Sequence, residues 1–219
     1  MKNLIYFYGV PATGKTSIAS SCAAYFNGVP LISTDIFKSY FLLQNPQEEI
    51  LSYTSDTAWK IYGNLTEDTL LKGYENLSEK VLIPLIPLIK ELFKTYTTVF
   101  IEGAHINNSF LKYLKEENIY LLGVFLPLQK NRFTDSTTKK LKIRHKTHNR
   151  WLENLSGIES LNKILYSFQN SFDKSLDIRS IFPSDLEINE FSYILSHHLS
   201  IYVESPKFRN ASRNRNSIE

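Results

Sequence analysis

The sequence predicts an α/β fold: a five-stranded parallel sheet with helices on both faces. Three observations carry this expectation. Short apolar runs alternate with amphipathic stretches along the chain. The first run leads straight into a glycine-bearing turn and then a helix-like segment. Residues able to do chemistry stand immediately after the runs, where an open parallel sheet gathers its ligands. With 219 residues, 42% of them hydrophobic, the chain has material for one substantial core and too little for two ordinary domains.

Leu4-Ile5-Tyr6-Phe7-Tyr8 is the first buried-strand run, and Gly9-Val10-Pro11-Ala12-Thr13-Gly14-Lys15-Thr16 follows it as a complete G-x-x-x-x-G-K-T motif. The small and apolar residues from Ser17 to Ala24 suit a helix, so the motif has the strand-loop-helix setting that phosphate binding needs. A polyphosphate requires many fixed donors. The loop supplies backbone N–H groups and the helix adds its positive end. Gly9, Ala12, Thr13, Gly14, Lys15, Thr16 and Ser17 are therefore the expected nucleotide-binding residues. Lys15 is expected to reach the β and γ phosphates, and the Thr16 hydroxyl to ligate Mg²⁺.

Val29-Pro30-Leu31-Ile32 is a short strand ending at Ser33-Thr34-Asp35, and a helix is expected from Ile36. Residues 44–64 are mixed, with a helical middle over 56–61. A long helical stretch runs from about Thr66 to Phe93, kinked or broken at Pro84 and Pro87. Residues 97–101 form a β-branched and aromatic strand that stops at Glu102-Gly103. A short helix over 109–117, a strand over 119–126 and a long amphipathic helix from Trp151 to about Leu176 come next. A last strand is expected within 178–188, before a helix over 189–201, with Pro183 against it.

Three strand ends thus carry the phosphate loop, Asp35 and Glu102. Asp35 is placed to act as general base toward an acceptor hydroxyl, against the alternative that it only caps the next helix. Glu102 follows its strand as a Walker B acid does and would hold Mg²⁺ with Thr16; the alternative is a surface acid in a turn. Ser33, Thr34, His105 and Asn107 would line an acceptor pocket, although a lone loop histidine is more commonly just solvated or hydrogen-bonded.

Residues 128–150 hold Lys130, Arg132, Lys139, Lys140, Lys142, Arg144, Lys146 and Arg150 against Asp135 alone. This is an expected lid. Arg132 and Arg144 are assigned to the transferring phosphoryl group and Arg150 to the acceptor, because planar guanidinium forks bind phosphate bidentately. A solvated basic loop or an RNA-facing patch fits the same charge.

The net charge of +3 is matched by residues 205–219 alone, where Lys207, Arg209, Arg213 and Arg215 face Glu219. That segment reads as a flexible basic tail behind a single domain over 1–204. Cys22 is the only cysteine, which excludes an internal disulfide and a cysteine zinc cluster and suits a reducing cytosol. The first strand begins too early for a cleavable leader, and no apolar run reaches membrane-spanning length. A cytoplasmic protein is expected, with no membrane partner; no oligomeric state is read.

The blocks Gly9–Thr16, Ile32-Ser33-Thr34-Asp35 and Ile101-Glu102-Gly103-Ala104-His105 resemble the archaeal-type 2-phosphoglycerate kinases and related small P-loop kinases. The likeness runs over roughly residues 1–175 and takes in Arg150-Trp151-Leu152-Glu153-Asn154. Similarity to zeta-toxin-like and polynucleotide kinases is looser: they share the loop and an Asp matched by Asp35, their proposed base. The resemblance implies a three-layer P-loop NTPase kinase fold with the Glu102 strand beside the first strand. The expected function is Mg²⁺-ATP-dependent transfer of the γ-phosphate to a hydroxyl of a small anionic metabolite. Two alternatives stand. One is a kinase for an RNA 5′-hydroxyl or a nucleotide sugar, with residues 128–150 and the tail tracking nucleic acid. The other is an ATP-binding regulatory protein with slow hydrolysis.

Overall fold

The computed structural model describes residues 2–11, 13–127, 155–177 and 188–203. The strands are β1 (Lys2–Tyr8), β2 (Leu31–Ser33), β3 (Thr98–Gly103), β4 (Ile119–Phe125) and β5 (Lys174–Asp177). They form one parallel sheet in the order β2-β3-β1-β4-β5. The helices are α1 (Lys15–Phe26), α2 (Thr34–Gln44), α3 (Glu67–Leu82), α4 (Ile86–Thr95), α5 (Asn108–Glu116), α6 (Leu155–Ser167) and α7 (Ile188–Leu199). The predicted lid at 128–150, the Arg150–Asn154 block, the span 178–187 and the tail at 205–219 lie outside the described residues.

The alternation of side chains along β1 builds both layers of core. Leu4, Tyr6 and Tyr8 point to one face and meet residues of α3, α4, α5 and α6. Ile5 and Phe7 point to the other and meet Ile18, Ala19 and Cys22 of α1 and Phe191, Leu195 and Leu199 of α7. Being covered on both faces is why β1, β3 and β4 read as continuous apolar runs. The three-layer arrangement is the one the sequence predicts.

Boundaries follow local chemistry. Thr66 caps α3 and shares a reciprocal capping box with Thr69. Pro84 and Pro87 split the predicted 66–93 helix into α3, a 3₁₀ turn over Ile83–Leu85 and α4, since a proline ring removes a donor and clashes with the preceding turn. The helical middle expected in 44–64 is a pair of 3₁₀ segments, Glu49–Ser52 and Ala58–Tyr62.

One expectation is corrected. The amphipathic helix does not run to Leu176: α6 ends at Ser167, a 3₁₀ turn covers Phe168–Ser171, and the fifth strand is already under way at Lys174. A fifth strand is thus present at Lys174–Asp177; the strand expected within 178–188 falls almost wholly outside the described residues. Long-range pairing overrides the helical pattern here. The Asp173 carboxylate accepts the Leu121 N–H at 2.7 Å and the Asp173 N–H donates to the Leu121 carbonyl at 3.0 Å, which docks the segment on β4. Phe172 fills the space over Gly123, and its ring stacks on Tyr8 with centroids 5.2 Å apart.

Candidate active site

β1 continues into α1 on one face, while β3 continues into α5 on the other. Neighbouring strands whose exits diverge open a crevice at their carboxyl ends. The phosphate loop closes one side of it. Gly14 sits at the N-cap of α1 with φ +87°, a left-handed conformation that glycine adopts without steric penalty. No side chain caps the helix and no acid stands in its first turn. Its first N–H groups are therefore available to an anion. The Thr13 hydroxyl donates to the Val10 carbonyl at 3.0 Å, and the buried Lys15 ammonium reaches back across the loop to the same oxygen at 2.8 Å. Burial lowers the Lys15 pKa, and the carboxylates of Asp35 and Glu102 oppose that shift. Lys15 thus sits within electrostatic reach of both acids.

Glu102 stands at the end of β3, in register with Phe7 of β1 and Ser33 of β2. Its side chain is buried, and its Oε2 accepts the Thr16 hydroxyl at 3.1 Å. Glu102 Oε1 is buried with no hydrogen-bond partner among the described residues. A hydroxyl beside a carboxylate with an unused oxygen is a fitting donor set for a hard divalent cation such as Mg²⁺. The surface-turn alternative for Glu102 is excluded by its burial.

Asp35 occupies the second position of α2, whose N-cap is Ser33, and the helix has no side-chain cap bond. Its side chain is 65% exposed, with Oδ1 3.7 Å from His105 Nδ1. Thr34 and His105 are buried, and the Thr34 hydroxyl is 2.9 Å from His105 Nδ1. Burial, reinforced by Lys38 and Lys15 against the pull of Asp35, pushes the His105 pKa down to about 4, so the imidazole is neutral near pH 7. Asn107 caps α5, its Oδ1 accepting the Phe110 N–H at 3.1 Å. Thr16 and Ser17 are exposed, and Ser33 is half-buried.

Of the predicted site residues, Gly9, Thr13, Gly14, Lys15, Thr16 and Ser17 follow β1, Glu102 ends β3, Ser33 and Asp35 stand at the end of β2, and Thr34 and His105 are buried behind Asp35. Ala12, Arg132, Arg144 and Arg150 lie outside the described residues. Two participants escape a sequence reading. Tyr6 donates its hydroxyl to the His105 carbonyl. The Tyr74 hydroxyl takes the Ile106 N–H at 2.9 Å and serves the carbonyls of Ile106 and Ala104 at 2.6 and 3.2 Å. In sequence both tyrosines look like ordinary core aromatics; only the loop that lands on their hydroxyls shows otherwise.

No family model matches the chain, and no curated protein matches it. Solved structures do. A shikimate kinase from Acinetobacter baumannii in complex with shikimate aligns at 15% identity over 93% of this chain and 97% of that one, with a TM-score of 0.50. A dephospho-CoA kinase from Campylobacter jejuni aligns at 16% identity over 91% and 98%, with a TM-score of 0.46. A gluconokinase from Sinorhizobium meliloti 1021 aligns at 14% identity over 92% and 98%, with a TM-score of 0.38. These neighbours are P-loop kinases, and the five-stranded parallel sheet flanked by helices matches the P-loop NTPase kinase fold.

Proposed function

We propose that this chain is a Mg²⁺-ATP-dependent phosphotransferase that moves the γ-phosphoryl group to a hydroxyl of a small anionic metabolite, in the manner of the 2-phosphoglycerate kinases its motifs resemble. The observation that carries the reading is the convergence of three chemistries at adjacent strand ends: the uncapped α1 with Lys15 after β1, Glu102 against Thr16 at the end of β3, and exposed Asp35 just past β2. The shared fold with a shikimate kinase supports the same class of reaction.

When bound, Mg²⁺-ATP supplies an electrophilic γ-phosphoryl group whose charge the metal partly neutralises. The chain's own residues do the rest. The N–H groups of the loop and of the first turn of α1 hold the polyphosphate, and Lys15 turns from the Val10 carbonyl toward the β and γ oxygens. Thr16 and Glu102 are the residues that would hold the metal. Asp35 takes the acceptor hydroxyl proton as that oxygen bonds to phosphorus and the bond to ADP breaks.

The test is incubation of the full chain with γ-labelled ATP and Mg²⁺ against phosphorylated and carboxylated metabolites, nucleosides, nucleotide sugars and short RNAs. Label on a hydroxyl of a small anionic acceptor, identified by mass, is the expected result. Label appearing only in inorganic phosphate, whatever the acceptor, overturns the reading in favour of a hydrolysing regulator.

A further inference from the structure

The residue proposed as base is the least constrained member of the site. Asp35 is 65% exposed, so packing does not fix its carboxylate. It follows a strand of only three residues, at the sheet edge, paired with β3 alone. General-base catalysis nonetheless needs the carboxylate within about 3 Å of the proton it removes. Something other than the sheet must fix the start of α2.

That anchor is visible beside it. Thr34, fully buried, is bonded at 2.9 Å to His105 Nδ1, linking the first turn of α2 to the loop after β3. The close approach is made possible by Gly103: a Cβ there would lie 1.8 Å from the Thr34 hydroxyl. The Asp35 carboxylate, 3.7 Å from Nδ1, favours the tautomer in which that nitrogen carries the proton, so the Nδ1–H points between the Thr34 oxygen and the carboxylate. The histidine is itself held. Tyr6 binds its carbonyl, and Tyr74 binds the peptide groups on either side. Tyr6 belongs to β1, the strand that leads into the phosphate loop.

We propose that His105 is a positioning residue for phosphoryl transfer, a tether that joins the first turn of α2, and with it Asp35, to the strand carrying Glu102. This rests on the assignment of Asp35 as base. The tether fixes the distance between the donor half of the site, on β1 and β3, and the acceptor half, on α2. It does not touch the reacting atoms: both His105 and Thr34 lie beneath the surface.

Two substitutions separate the hydrogen bond from mere filling of space. His105→Leu keeps most of the volume without the bond; His105→Asn keeps a polar group near the place of Nδ1 but leaves part of the ring's space empty. Hydrogen exchange on the full chain reads the tether without any acceptor, through the amides of Lys38 and Ser39, whose helical bonds run back to Thr34 and Asp35. In His105→Leu these amides are expected to exchange about 5- to 10-fold faster, the value of one hydrogen bond, while β1 and β3 are unchanged. With the acceptor found above, kcat is expected to fall about 100-fold in His105→Leu at unchanged KM for ATP. His105→Asn is expected to recover most of both effects. Thr34→Val should repeat the loss from the other side of the bond and Thr34→Ser should not. The proposal is overturned if His105→Asn is worse than His105→Leu, which makes the ring a packing element, or if the α2 amides are indifferent to both. A wild-type chain that transfers no phosphate removes the kinase reading, while the order of the exchange rates still decides the tether.

Discussion

Lys15 and Asp35 stand at opposite extremes of exposure, and that difference divides their roles. Lys15 is buried against the Val10 carbonyl, and burial lowers its pKa only against the counter-pull of two carboxylates. Its charge is kept inside the loop, within a side-chain rotation of the polyphosphate and of the charge that develops on the γ-phosphoryl group. Lys15→Ala is expected to reduce kcat by about 10²–10³-fold and to weaken ATP binding as well, because the same ammonium serves ground and transition state. Asp35 faces solvent and makes no hydrogen bond or ion pair to the described residues of the loop, so Asp35→Asn should lower kcat by about 10²–10⁴-fold with KM for ATP unchanged. Steady-state kinetics on the two variants check the split. Loss of ATP affinity in Asp35→Asn would place that carboxylate on the donor side and remove it as base.

At the scale of elements, the loop after β3 is where the fold concentrates its buried polar bonds. Tyr74, on the inner face of α3, serves three backbone groups of residues 104–106 with one hydroxyl. Tyr74→Phe preserves the ring and removes every one of those bonds. The stranded peptide groups are expected to cost about 1–3 kcal/mol in urea unfolding, and a smaller loss would mean that water or a shifted loop replaces the hydroxyl. The sequence shows elements whose signal is local. Continuous apolar runs reveal β1, β3 and β4, and Pro84 and Pro87 reveal the break between α3 and α4. It hides β5, because Lys174–Asp177 contains a single apolar residue and is a strand through its long-range pairing with β4, which the bonds of Asp173 to Leu121 begin. The site divides the same way. The phosphate loop, Glu102 and Asp35 are legible because each sits at a strand end. The bond between Thr34 and His105, 71 residues apart, is legible only once β2 and β3 are neighbours.

For the molecule as a whole, burying a neutral imidazole between the two halves of the site makes stability depend on pH. His105 faces Asp35 and Lys38 from α2 and Lys15 from α1, and burial outweighs the single carboxylate, so its pKa falls from 6.5 to about 4. The sign follows from which state binds the proton. Between those two values the unfolded chain is protonated at this ring and the native chain is not, so stability is lost as pH drops from 6.5 toward 4 and is fully present above 6.5. The full extent of the loss is about 3 kcal/mol, a large part of the stability of a domain this size. Carboxylates titrate near the lower end of the same window, so the informative quantity is a difference between chains. His105→Asn removes the titrating ring and keeps the tether. Its unfolding free energy, measured by urea titration from pH 7 to pH 4, should start below that of the wild type and converge toward it or cross it as the pH falls. Parallel curves would mean that folding leaves the ring's proton affinity unchanged and that burial does not depress it. A charged ring would make its contact with Asp35 an ion pair, whose removal would instead open a gap that narrows as the pH rises above 6.5.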